Sequence, residues 1–167
     1  MPFTFSHPAA VLIINTKLKR YFCFTGLVLG SMAPDFEYFL HLKPFSTIGH
    51  EFTGFIFLNL PLCFLIAFIF HKIFKRPLIL HLPHQLSNLV SGYAQKEWNL
   101  NSLRKVAVFI YSALLGMLTH IIWDSFTHIK GKMVELIPTL SYEFHFAGYT
   151  VAFYINYYNM AVQYLVQ

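Results

Sequence analysis

The chain has 167 residues, of which 56% are hydrophobic, 19% aromatic and 11% charged, with a formal net charge of +5. Soluble domains carry about 25% charged residues, so an ordinary soluble enzyme or binding domain is excluded by composition. The basic balance would suit nucleic acid, but Lys and Arg flank long uncharged runs, where membrane topology and anionic lipid explain them. Membrane lipid is the expected partner and nucleic acid is not.

The first apolar segment, about 3–16, precedes Lys17, Lys19 and Arg20. A cleavable signal places its positive charges before its apolar core, the reverse of this order, so the segment is read as part of the fold. Residues 21–34 (YFCFTGLVLGSMAP) follow. At about 1.5 Å per residue, each arm is short for a crossing of about 30 Å, and the pair predicts a tight helical hairpin. The runs about 52–70 and 106–123 are nearly free of ionisable groups, and each approaches the roughly 20 residues of a crossing helix. The last stretch, 146–167, is uncharged and is expected to be a further apolar span. Tyr149, Tyr154, Tyr157, Tyr158 and Tyr164 make it amphipathic, which leaves a homo-oligomer open. Cys23 and Cys63 lie inside apolar runs without a CxxC pair and read as small buried hydrophobes. The expected fold is all-α: one domain, 1–167, forming a multi-pass transmembrane helical bundle that opens with the short hairpin.

The connection 71–105 holds six Lys and Arg against Glu97. Leu82, Leu86, Leu89 and Val90 recur there at helical spacing, which predicts a helix lying on the membrane face. Lys and Arg concentrate in short cytoplasmic loops. The 17–20 turn and the 71–105 connection carry nine of them, whereas 35–51 and 124–145 carry three. The first pair is therefore assigned to the cytoplasm and the second to the external face of a cell membrane. His81 and His84 fall on the basic side and are left out of any site.

This orientation gathers ionisable side chains at the external end. GSMAPDFEYF delivers Asp35 and Glu37, TIGHEFTG delivers His50 and Glu51, and THIIWDSFTH brings His120, Asp124 and His128. His7 of FSHPAA begins at the same face. His120 and Asp124 are four residues apart, about 40° round a helix and about 6 Å along it, which suits two ligands of one ion. Carboxylates and imidazoles crowded at one depth repel and desolvate unless a cation joins them.

PFTFSHPAAVL, LGSMAPDFEYF, GHEFTG and GMLTHIIWDSFTH together resemble an uncharacterised family of bacterial integral-membrane proteins, a domain of unknown function, over roughly residues 2–140. That family in turn resembles the YdjM-like membrane metal-dependent hydrolases and, more distantly, the all-helical superfamily of zinc-dependent phospholipase C and single-strand nucleases. The resemblance implies that Asp35, His50, His120 and Asp124 form one metal site, that His7 reaches a second ion with Asp124 bridging, and that His128 is a further ligand. It implies one or two divalent ions, zinc first.

The function expected is a membrane-embedded metal-dependent hydrolase acting on a lipid or lipid-linked phosphoester through a metal-activated water, with Glu37 or Glu51 as general-base candidates. The alternative is a non-catalytic multi-pass protein whose His/Asp cluster binds metal or pins the bundle together. Gly26, Gly30, Ser31, Ala33, Ser112, Ala113 and Gly116 would serve close helix packing in that alternative.

Overall fold

Pro8 opens the first helix, where its missing N–H is one that a helix start leaves unpaired anyway. In the computed structural model this helix, α1, runs Pro8–Leu18 and is followed by α2, Phe24–Met32. Residues 4–42, 48–95, 97–128, 131–141, 143–146 and 149–152 are described. The two arms are 11 and 9 residues long, too short to cross a bilayer, and they form the expected hairpin. The Tyr111 hydroxyl donates to the Tyr21 carbonyl and pins its turn to the rest of the fold. Pro34 lies in a 3-10 turn, Ala33–Asp35, that ends α2 and leads into α3, Phe36–His41.

The second long apolar run forms α4, Phe52–Leu80, 29 residues in all. It continues well past residue 70, where the sequence suggested a connection. Pro61 and Pro77 are accommodated inside it. A helical proline clashes with the carbonyl four residues back, here Phe57 and Ile73, and both lie in widened π-turns, Phe55–Asn59 and Phe70–Phe74. Next come α5, His84–Gln95, and α6, Leu103–Thr127. Ser102 caps α6, its hydroxyl accepting from the Lys105 N–H at 3.3 Å. A short α7, Lys132–Leu136, follows.

Helical structure thus dominates, with one addition. Strands β1, Glu143–Phe146, and β2, Tyr149–Ala152, pair antiparallel with Phe144 opposite Val151 and Phe146 opposite Tyr149. Aromatic and β-branched residues favour strands, so the start of the expected span 146–167 is extended at 146 and 149–152, and the rest of that span lies outside the described residues. The tyrosines from Tyr154 onward lie outside the described residues.

The centre of the fold is α2 against α6. A Cβ on Gly30 would stand 2.8 Å from the Ala113 Cα, and one on Gly116 would stand 2.7 Å from the Ser31 N. Only glycine lets the two backbones come this close. Leu27, Cys63, Ala67, Phe109, Ala113 and Met117 are fully buried around the contact. Cys63 is therefore packing material, and Cys23 presents its backbone N–H to the Ser112 hydroxyl at 2.9 Å.

Two helices, α4 and α6, are long and apolar enough to cross a membrane, yet only 22% and 33% of their most apolar windows are buried. Phe57 on α4 is 79% exposed and Leu118 on α6 is 51% exposed. The core helix of a water-soluble protein buries most of such a surface. The outward apolar faces point to association with a membrane.

Candidate metal centre

Three interruptions in the helical pattern aim polar side chains at one place. Pro8 fixes the start of α1, so His7 sits just before its first turn and is 2% exposed. Pro34 ends α2, so Asp35 falls in the following turn and is 4% exposed. His50 lies in the turn that enters α4, and its position is set by Glu37. The Glu37 Oε2 accepts from the backbone N–H of Ile48 at 3.2 Å and of Gly49 at 2.6 Å. Asn59, in the first π-turn of α4, donates to the Gly49 carbonyl at 2.7 Å from the other side.

On α6, His120 and Asp124 share a face, and the His120 Nε2 is 3.1 Å from the Asp124 Oδ2. The His50 Nε2 is 3.8 Å from that same oxygen. The other Asp124 oxygen, Oδ1, meets the His7 Nε2 at 3.0 Å and the His128 Nδ1 at 3.3 Å. The Asp35 Oδ1 completes the centre, 3.7 Å from the His120 Nε2 and 3.8 Å from the His50 Nε2. The rings of His7 and His120 stack, 3.9 Å apart. His7, Asp35, His50, His120, Asp124 and His128 therefore gather around one point, as their placement at span ends suggests.

Hydrogen bonds fix which nitrogens face the centre. The His120 Nδ1 lies 2.7 Å from the Ser31 carbonyl oxygen, and the His7 Nδ1 lies 3.2 Å from the Thr4 carbonyl oxygen. A carbonyl only accepts, so each Nδ1 carries the proton and each Nε2 points inward. The His120 Nε2 is buried without a hydrogen-bond partner. It lies 3.1 Å from the Asp124 Oδ2 and 3.7 Å from the Asp35 Oδ1. A neutral imidazole in this tautomer opposes its lone pair to carboxylate oxygens, which is repulsive unless a second ring proton or a metal cation lies between them.

The spacing suits such a cation. Zinc–ligand bonds of about 2.1 Å in a tetrahedron place donors about 3.4 Å apart, and the contacts here run from 3.0 to 3.8 Å. Two overlapping sets have mutually compatible donors: His7, Asp35 and His120, all buried, and His50, His120 and Asp124, partly open. The grouping differs in detail from the one the resemblance implied, because Asp35 falls in with His7. Burial, and then His120, hold the His50 imidazole below its ordinary pKa against the pull of Asp35 and Asp124, which favours the neutral, metal-binding form. Burial, followed by Asp35, Asp124 and Glu37, raises the Tyr38 phenol above its ordinary value. Its ring lies 5.8 Å from His50.

The two general-base candidates lie outside the sets of compatible donors. Glu37 is 2% exposed, and its carboxylate is committed to the Ile48–Gly49 turn and, at 3.5 Å, to His41. It positions His50. Glu51 is exposed and receives the Thr53 hydroxyl at 3.5 Å. Sequence reasoning did not find Thr4, whose hydroxyl donates to the Asp35 Oδ2 at 2.7 Å. It also missed Ser31 as the carbonyl that orients His120. Thr4 stands three residues before His7, and no spacing rule marks it. His81 and His84 are exposed and stay outside the site.

A predominantly helical chain with two apolar helices and a His/Asp centre at their ends is the class that the fold and site define. Residues 1–166 match the family model described as Domain of unknown function (DUF4184), and the chain belongs to that family. No curated protein and no solved structure matches it.

Proposed function

We propose that the chain is a multi-pass membrane protein whose His/Asp cluster holds one or two divalent metal ions, zinc first, and hydrolyses a lipid or lipid-linked phosphoester. The observation that carries this reading is the buried His120 Nε2, held inward by the Ser31 carbonyl, facing two carboxylates and shared by both sets of compatible donors. Bound zinc would polarise a phosphoester oxygen and supply a water acidic near neutral pH. His7, Asp35 and His120 form the closed inner half, with Thr4 and Ser31 orienting them. His50, Asp124 and His128 are 29%, 16% and 32% exposed and form the open half, where a substrate can reach. His128, at that edge, is placed to meet the substrate's anionic oxygens.

The centre sits at the ends of both long helices, the depth at which a lipid headgroup lies. The excess of Lys and Arg on the opposite connections favours the external side for it. The test is turnover of phospholipid and generic phosphodiester substrates by the purified chain. Activity should vanish with a chelator and return with zinc, and chelator-insensitive turnover would contradict the proposal. A second reading, a structural metal site, draws on the near-complete burial of His7, Asp35 and His120, since structural zinc sites are closed. Metal retained in the pure protein without turnover of any phosphoester would favour it.

A further inference from the structure

Toward the start of α2, at the opposite end from the cluster, α2, α4, α5 and the stretch before α6 line a cavity of about 1060 Å³. We propose that it holds an anionic lipid, with the acyl chain against the apolar wall and the phosphate drawn to Lys19 and Lys75. The wall is formed by Leu29, Ile66, Phe70, Leu78 and Val90, which suits a hydrocarbon chain. Among the described lining residues the charged ones are Lys19, Lys75 and the exposed Glu97. Lys75 is only 8% exposed, and a cation at a low-dielectric wall attracts an anion far more strongly than one in water.

His71 adds a directed donor. Its ring stacks on Trp98 at 4.5 Å, and its Nε2 lies 2.9 Å from the Thr25 hydroxyl. Its Nδ1 is buried without a hydrogen-bond partner. With the Thr25 hydroxyl donating to Nε2, the Nδ1–H is left to donate, and a phosphate oxygen is the acceptor it lacks. The cavity is separate from the metal centre. Thr25 lies in the first turn of α2 and Asp35 beyond its end at Met32, so the proposal does not depend on the metal reading.

Trp98 reports on the cavity directly. In a Trp123→Phe background it is the single tryptophan of the chain. The full chain is reconstituted in nanodiscs containing graded mole fractions of brominated phosphatidylglycerol or brominated phosphatidylcholine. Trp98 fluorescence should be half-quenched at about tenfold lower mole fraction of the anionic lipid. Lys19→Gln with Lys75→Gln should erase that preference, whereas Lys75→Arg should keep it. Equal quenching by both lipids overturns the proposal, as does a preference that survives in the double variant. Relief of quenching by inorganic phosphate, at matched ionic strength, would assign the site to a free anion and overturn it too. Zinc content should be unchanged in the double variant, which separates this outcome from any failure of the metal centre.

Discussion

Gly30→Ala should damage the metal centre from a position that touches no ligand. The added Cβ would overlap the Ala113 carbonyl oxygen and stand 2.8 Å from the Ala113 Cα, whereas carbon atoms settle at about 3.5–4.0 Å. The backbones of α2 and α6 must therefore part by at least about 1 Å. Ser31 is the next residue, and its carbonyl holds the His120 Nδ1 at 2.7 Å. Parting the helices stretches that contact to at least about 3.7 Å, which is no longer a hydrogen bond. Overpacking costs about 1–3 kcal/mol and the lost bond about 1 kcal/mol more, together about 2–4 kcal/mol. The matched control is Gly92→Ala on α5, where a Cβ meets nothing and the change is neutral or slightly stabilising. Thermal unfolding of the detergent-solubilised protein and its zinc content are read together. Gly30→Ala should lower both, and Gly92→Ala neither. Indistinguishable variants would refute the close-packed pairing as the support of His120.

Glu37→Gln should weaken zinc binding by about 10–100-fold through the loosened His50 turn, with turnover recovering at saturating zinc. A general base at Glu37 would instead lose turnover with zinc affinity unchanged. His120 belongs to both donor sets and His50 to one. His120→Ala should therefore abolish metal binding, and His50→Ala should leave the inner set of His7, Asp35 and His120 able to retain an ion, as zinc stoichiometry will report. Reporter tags within 85–100 should read cytoplasmic, and tags at 130–132 external. Tags on the same side would remove α6 from the membrane.

Much of the centre was legible because chain geometry speaks at short range. The four-residue spacing of His120 and Asp124 puts both on one helical face, and Pro8 and Pro34 mark the helix ends that carry His7 and Asp35. The small residues of α2 and α6 announced a close pairing. Other features depend on partners distant in sequence. Glu37 looks like a base until the Ile48–Gly49 turn is seen to occupy its carboxylate. The stacking of His71 on Trp98 joins segments that no periodicity connects. Pro61 and Pro77 concealed the length of α4, because π-turns absorb the clash that a proline causes in a regular helix. The hairpin at 143–152 was hidden by counting uncharged residues, which records apolar length but not the strand preference of Phe, Tyr, Thr and Val.

Zinc content of Asp124→Asn against wild type tests the metal centre most directly. Asp124 touches His7, His120 and His128 within 3.3 Å, and asparagine keeps its volume while removing the charge a cation needs. Wild type should bind one or two equivalents of zinc with tight retention through dialysis, and His84→Ala, far from the cluster, should match it. Asp124→Asn should insert normally and lose the metal. Equal zinc in wild type and Asp124→Asn would contradict the account.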